Sequence, residues 1–168
     1  MHRIGKLHLF LGALGALLVL GTDASTVAQG SLTIGGSSAN FGVHRLRGGF
    51  TPDPNVIRVV SGGSLDARGM GLRAGCVGHA TATPDVILHY SNPASMLRFF
   101  VRAQGDTALL INDPNGRWAC NDDASGTNPM VTFNRPAAGQ YDVWVSSYQA
   151  GANIRGTLHV TELQSQRP

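Results

Sequence analysis

The sequence predicts an all-β protein, an antiparallel sandwich or barrel with about seven to nine short strands. Three observations predict this fold class. Almost every patterned segment after residue 28 alternates apolar and polar residues with a period of two. Turn sequences such as NPAS, DPNG and RPAAGQ separate these segments. No amphipathic pattern long enough for a helix lies between them.

The individual strands follow from the same alternation. In LRFFVRA, Leu97, Phe99 and Val101 alternate with Arg98 and Arg102, which predicts a strand with one buried face. The segment YDVWVSS (141–147) alternates in the same way. Five further runs are rich in β-branched or aromatic residues: NVIRVV (55–60), VILHY (86–90), TALLI (107–111), MVTF (130–133) and GTLHVTEL (156–163).

The first residues predict a secretory signal peptide. A basic start with Arg3 and Lys6 precedes a nearly unbroken apolar run from Leu7 to Leu20. A membrane-spanning helix needs roughly 20 apolar residues, so this run is short for an uncleaved anchor, which is the alternative. Small residues follow, and cleavage fits after Ala24 or Ala28. We therefore expect a periplasmic or secreted protein without membrane contact after cleavage.

Composition divides the chain into four predicted parts. The residues that remain after cleavage suffice for one domain with one core. The segment before GGFTPDP (48–54) is rich in glycine and serine and shows no firm strand pattern. The parts are a signal peptide (1–28), a flexible Gly/Ser-rich leader (29–47), a β-sandwich domain (48–163) and a polar tail (164–168).

Charge excludes one class of partner and locates the candidate chemistry. The arginines are spread along the chain, whereas a nucleic-acid-binding protein usually shows a clustered basic stripe. We therefore expect no nucleic-acid partner. Five of the ten acidic residues fall between positions 85 and 123, which places candidate chemistry in the middle of the chain.

The chain contains two cysteines, Cys76 and Cys120, and we expect them to pair because an exported chain meets an oxidising compartment. Closing so long a loop is worth ~4 kcal/mol in the chain-entropy model. A reactive thiol acting as a nucleophile is the alternative. The pairing is favoured because a second cysteine and an export signal are both present.

Several motifs, taken in order, resemble one known family. They are GGFTPDP, GCVGH, TPDVILHY, GDTALLINDPNGRWACNDD and PAAGQYDVWVSSY, and together they span about residues 48 to 163. This series resembles the exported bacterial domains related to the pre-peptidase C-terminal domain. Those domains are calcium-stabilised β-sandwiches of jelly-roll type, similar to the collagen-binding domains of secreted proteases. The resemblance therefore implies a jelly-roll sandwich and a calcium ion.

The acidic stretch DPNGRWACNDD (113–123) is the candidate metal site. Calcium takes six to eight oxygen ligands, which carboxylates and amide carbonyls supply. A strand of five or six residues spans roughly 17–20 Å, so Asp106 and Asp113, at opposite ends of TALLI, do not share one ion. The candidate ligands are Asp113, Asn115, Asp122 and Asp123, with Asp106 or Asp85 entering from a neighbouring loop end.

The same stretch has a purely structural interpretation. Aspartate and asparagine side chains commonly bond their own backbone in turns, and DPNG is an ordinary turn sequence. The spacing lacks the distal glutamate of a helix-flanked calcium loop. His79 and His89 are too far apart in sequence to form a short zinc-ligand pair. A calcium site and a polar hairpin both remain open from the residues alone.

Aromatic residues are the other candidate contacts. Trp118, Trp144 and Tyr148 would provide ligand platforms in a module that binds a glycan, a cell-wall polymer or a protein. In a purely structural envelope protein the same residues would be core, with Trp118 covering the disulfide. A protease-associated regulator, which would use the loop YQAGANIRG (148–156), is a third and weaker hypothesis.

The sequence gives little support to an enzymatic function. Neither GxSxG nor a GDSGG-type loop occurs, and GHATAT around His79 only superficially resembles a protease histidine segment. Adjacent Asp122 and Asp123 point to opposite faces if the chain is extended, so they do not form a glycosidase pair. We therefore predict a non-enzymatic, exported accessory or binding module, with calcium stabilisation as one of the two alternatives for its acidic stretch.

Overall fold

A computed structural model describes residues 30–168 as two β-sheets packed face to face. The predicted signal peptide lies outside the described residues. The eleven strands in the described part are β1 Val43–Arg47, β2 Asn55–Val60, β3 Leu65–Asp66, β4 His79–Ala80, β5 Val86–Ser91, β6 Met96–Ala103, β7 Thr107–Asn112, β8 Trp118–Asn121, β9 Met130–Asn134, β10 Gly139–Ser147 and β11 Arg155–Thr161. One 3₁₀ turn spans Ala67–Met70. Within residues 30–168, no helix is long and apolar enough to cross a membrane.

The strand order is that of a jelly roll. The smaller sheet has the order β2-β11-β6-β9. In the larger sheet, β10 pairs with both β5 and β7, β7 pairs with β8, and β1 lies beyond β5. The eight strands β2 and β5 to β11, numbered 1 to 8 in chain order, contribute four strands to each sheet, in the orders 1-8-3-6 and 2-7-4-5; the larger sheet has seven strands in all. The sequence predicted either a sandwich or a barrel. This interleaved order in two sheets is that of a sandwich and confirms the jelly-roll type.

The main core lies between the two sheets and follows the predicted alternation. Leu97, Phe99 and Val101 of β6 face Val143 and Val145 of β10, and all five side chains are fully buried. The outward-facing positions are buried as well in several strands, and all six residues of β7 are buried. Continuous burial explains why TALLI reads as an unbroken apolar run, since both faces of that strand are covered.

A second, smaller core covers the outer face of the larger sheet. Trp144 and Leu110 point outward from β10 and β7 and are fully shielded. Leu32 of the N-terminal segment and Ala67 and Cys76 of the excursion 65–80 are buried in the same cluster. The Cys76–Cys120 disulfide, which joins residues 44 positions apart, ties this layer to β8 and confirms the predicted pairing.

The segment expected to be a flexible leader, residues 29–47, instead belongs to the domain from residue 30 onward. β1 pairs in parallel with β5 from Val43–Ile87 to Arg47–Ser91, the one parallel pairing among the described strands. The amide of Gly35 donates to Asp142 Oδ2 at 2.7 Å. Glycine and serine leave no apolar period in this segment, so its order comes from partners distant in sequence.

The polar tail is also held in place. The buried Arg98 guanidinium donates to the carbonyls of Gln164 and Gln166, at 2.9 and 2.8 Å. Arg102 Nη2 donates to the carbonyl of Arg167 at 2.6 Å. We call residues 164–167 the strap, because its backbone crosses the outer face of the smaller sheet, where Phe100 is fully buried.

Candidate functional site

The acidic stretch forms the hairpin turn between β7 and β8. The Asp113 carbonyl accepts from Gly116 N at 2.9 Å, and Asp113 N donates to the Arg117 carbonyl at 2.9 Å. Pro114 occupies the position of a four-residue turn that favours proline. Gly116 has a φ of 73°, a left-handed conformation that glycine adopts without strain. The local sequence therefore favours this turn.

Both oxygens of the Asp113 carboxylate accept hydrogen bonds from the turn that contains it. Oδ1 accepts from the amides of Asn115 and Arg117, both at 2.9 Å. Oδ2 accepts two bonds from the Arg117 guanidinium, at 2.9 and 2.8 Å. Burial alone would raise the pKa of Asp113, but the bonds from Arg117 and Asn115 outweigh it and lower that pKa. This geometry is that of the polar hairpin, the structural alternative considered above.

Strand register separates the predicted calcium ligands into two groups. Leu109 pairs with Asn121 and Asn112 with Trp118, so Asp122 and Asp123 lie beside the beginning of β7. Asp113 and Asn115 lie at the other end of that strand, roughly 17–20 Å away. The expectation that Asp113, Asn115, Asp122 and Asp123 form one compact set therefore does not match the hairpin register.

Three of the acids are grouped at the beginning of β7. Burial raises the pKa of Asp106, and the charges of Asp123 and Asp122 raise it further. Asp106 Oδ1 is buried and has no hydrogen-bond partner. Nevertheless, no group of three or more His, Cys, Asp or Glu side chains within residues 30–168 is arranged to hold a metal. The donor chemistry here suits calcium, whereas the placement of the side chains does not assemble a site.

Asp85 lies apart from both groups and has a structural role. Its Oδ2 accepts from the amide of Val145 at 2.7 Å, and its Oδ1 accepts from the side-chain amide of Asn40 at 3.0 Å. Burial raises the pKa of Asp85 to about 6, although both hydrogen bonds act in the opposite direction. The carboxyl group thus joins β10 to the N-terminal segment, with no free oxygen face for a ligand.

The tryptophans belong to the second core. Trp144 is fully buried, and its ring centroid lies 5.5 Å from that of Trp118. Trp118 is half-buried, packs against the same cluster as Cys120 and borders a cleft of about 340 Å³ that Leu32 and Met70 also line. Trp144 is therefore excluded as a surface ligand contact in the folded monomer, and Trp118 covers the disulfide layer.

Tyr148 is the exposed member of the aromatic set. It follows β10, and 40% of its surface is accessible. The guanidinium of Arg68 lies 4.6 Å from its ring centroid, a cation–π arrangement. The loop that begins at Tyr148 is fixed at its base, where Ser147 Oγ donates to the carbonyl of Ala152 at 2.7 Å. Tyr148 thus presents a polar and aromatic surface on a defined loop.

Several buried polar side chains in the described part are bonded within the fold. Ser61 and Ser147 share a hydrogen bond of 2.7 Å, and Ser146 donates to the carbonyls of Val77 and Ala108. His159 bonds Thr157 and stacks on Phe100 with ring centroids 4.5 Å apart. These hydroxyl and imidazole groups bond backbone or one another, and they do not converge with a carboxylate on an open cleft.

Sequence reasoning did not single out a set of arginines on the smaller sheet. Arg58 of β2 and Arg102 of β6 both pair with Thr157 of β11, which brings them to one row of the sheet. Each arginine occupies an outward position of its own strand, and that much is visible in the alternation. Their proximity depends on strand order, which joins segments far apart in the chain.

Comparisons with known proteins include a structural likeness. No protein-family model matches the chain, and no curated protein matches it. The crystal structure of the pre-peptidase C-terminal domain of collagenase from Bacillus anthracis is similar at 17% sequence identity with a TM-score of 0.37. The match covers 71% of this chain and 93% of that domain. A TM-score this low does not establish a shared fold, so the assignment of the fold depends on the strand order described above.

Proposed function

We propose that this protein is an exported, non-catalytic β-sandwich module that contacts a polymer or a protein of the cell envelope or extracellular space. The proposal rests on the contrast between buried polar groups, which bond within the chain, and an exposed polar and aromatic pair. The buried side chains of Ser61, Ser147 and Asp85 bond other parts of the chain, whereas the Tyr148–Arg68 pair is presented to solvent. The disulfide supports an oxidising compartment.

A binding assay tests this proposal. The purified protein is incubated with a panel of insoluble cell-wall polysaccharide, chitin, cellulose and collagen, and the bound fraction is measured by sedimentation. We expect retention on at least one polymer and a lower bound fraction for Tyr148→Ala. Val43→Ala is a matched control, because Val43 on β1 is 41% exposed, much like Tyr148, and lies outside both the Tyr148 loop and the smaller sheet. Equal retention of both variants would contradict a role for Tyr148.

A purely structural envelope protein is the second candidate, and the burial of Trp144 favours it. An aromatic residue that sequence alternation placed on an outer face is covered by the chain itself and so offers no platform. If the protein binds none of the polymers in the panel, this second candidate replaces the first. The same surface arginines and aromatics would then serve solubility and packing alone.

Calcium stabilisation remains a prediction, and it is confined to the acids at the beginning of β7. Thermal unfolding in calcium and in chelator, for wild type and for an Asp122→Asn/Asp123→Asn variant, tests it. An ion bound there raises the unfolding midpoint of wild type and leaves the variant unchanged. Asp66→Asn is the control and keeps the calcium response. Identical midpoints of wild type in calcium and chelator would remove calcium from the proposal.

A further inference from the structure

Three arginines form a compact group on the outer face of the smaller sheet. Arg58 and Arg102 flank Thr157 in one cross-strand row, and Arg155 lies two residues before Thr157 on the same face of β11. Neighbouring strands lie about 4.8 Å apart, so the outer two Cα atoms are about 10 Å apart. We call Arg58, Arg102 and Arg155 the arginine cluster.

No carboxylate neutralises the arginine cluster within residues 30–168. The two ion pairs in this part of the chain join Arg68 to Asp66 and Arg117 to Asp113, and neither involves the cluster. All three guanidinium groups belong to exposed residues. Three like charges held at this spacing repel one another, and a bound anion would relieve that repulsion.

Two shallow depressions beside the cluster supply space for a ligand. One, of about 530 Å³, is lined by all three arginines together with Phe41 and Thr157. The other, of about 680 Å³, is lined by Arg102 and Arg155 together with Gln104 and Ile154. Neither depression has an acidic residue in its lining. The two share a border, so a chain-like ligand can pass from one to the other.

The cluster is partly preorganised, and its surroundings favour charge recognition over stacking. Arg102 is held by the strap carbonyl of Arg167 and lies over the ring of Phe100, 5.3 Å from the centroid. Phe100 is fully buried and His159 nearly so, which leaves neither ring free to stack on a base or a sugar. Guanidinium groups match the oxygen pairs of carboxylate and sulfate through two parallel hydrogen bonds.

We propose that the arginine cluster binds an anionic polysaccharide through its carboxylate or sulfate groups. This inference rests on the proposed function and names the ligand class that a module of this kind contacts. The polymer lies across β2, β11 and β6, and its anionic groups accept hydrogen bonds from Arg58, Arg102 and Arg155. An anionic polysaccharide is favoured over nucleic acid, because the aromatic ring in the lining of the depressions, Phe41, is partly buried against the main core.

Calorimetric titration with two probes tests the inference: heparin carries sulfate groups and polygalacturonate carries carboxylate groups. The variant is Arg58→Gln/Arg155→Gln, since neither side chain makes a hydrogen bond in the described part. Arg45→Gln/Arg47→Gln is the matched control, because both arginines are exposed on β1 of the other sheet. We expect the cluster variant to weaken binding about tenfold or more and the control to change it less than about twofold.

Unchanged binding by the cluster variant, or equal losses in both variants, would overturn the inference, since binding would then follow net charge alone. Circular dichroism and the unfolding midpoint confirm that both variants are folded. Single-stranded DNA is a further probe, and binding to it as tight as to heparin also overturns the choice of ligand. If neither polysaccharide binds while another polymer of the panel does, this inference fails and the proposed function stands.

Discussion

Asp85 is a carboxyl group placed almost entirely out of solvent, and it illustrates how single residues hold this fold. Its two hydrogen bonds reach β10 and the N-terminal segment, so one side chain joins elements 60 and 45 positions away. Burial raises its pKa to about 6 despite those bonds. Burial therefore makes the charged form of Asp85 unfavourable. The two hydrogen bonds partly offset this effect and join two elements at once.

This raised pKa predicts a pH dependence of stability. The folded state keeps the proton to a higher pH than the unfolded state, so stabilisation by Asp85 is full below about pH 4 and is lost as pH rises through about 6. The loss is at most about 3 kcal/mol. Urea unfolding at several pH values checks it, with Asp85→Asn as the comparison. The difference between the two proteins should change between pH 4 and 7, and a constant difference would contradict the assignment.

Asp113 is the opposite case to Asp85, because the fold favours its charged form. Asp113→Ala leaves the amides of Asn115 and Arg117 without their acceptor, and we expect it to lower the free energy of unfolding by about 2 to 3 kcal/mol. Arg117→Ala should cost less than about 1 kcal/mol, because 73% of that side chain is exposed. Chemical denaturation of both variants measures the contrast, and equal losses would show that the ion pair dominates.

At the scale of elements, segments with weak sequence patterns cover both sheets. Leu32 and residues of the 65–80 excursion pack in one cluster with Trp144 on one side, and on the other side the strap bonds Arg98 and Arg102, which flank Phe100 on β6. Strands with both faces buried need such covers, because an apolar outer face would otherwise meet water. Side chains of the sheets bond backbone groups of the N-terminal segment and of the strap, and the disulfide holds the 65–80 excursion.

Removal of the strap tests how much such a cover contributes. Deletion of residues 164–168 removes three carbonyl acceptors from Arg98 and Arg102, so we expect a loss of about 2 kcal/mol in the free energy of unfolding. Gln164→Ala/Gln166→Ala is the control, because it keeps both carbonyls and should change stability by less than about 0.5 kcal/mol. A comparable loss in the control would assign the effect to side chains.

The features that the sequence could predict are those contained in a single element. Alternation in LRFFVRA and YDVWVSS identified the strands and the core, since a period of two is written into each segment by itself. The order of residues 30–47, the strap and the split of Asp113 from Asp122 and Asp123 depend on partners elsewhere in the chain. Trp144 was ambiguous for that reason, because alternation shows which face it occupies and not what covers that face.

At the scale of the molecule, the disulfide joins the outer layer to the sandwich. Cys76 lies in the 65–80 excursion and Cys120 in β8, so the bond closes a loop that contains β4 to β7. We expect Cys76→Ser/Cys120→Ser to lower the free energy of unfolding by about 4 kcal/mol. Guanidinium unfolding of both proteins measures it, with Ser125→Ala as an exposed control near β8. A change below about 1 kcal/mol would mean that the outer layer contributes little.

The strand order 1-8-3-6 of the smaller sheet has a consequence for the timing of folding. The first and last of the eight principal strands, β2 and β11, are direct neighbours, and β11 also separates β2 from β6. A chain that emerges with its N-terminus first from a ribosome or a translocation pore therefore cannot complete this sheet until Thr161 has emerged. Until then β2 and β6 expose unpaired edges, and closure between such distant segments is slow.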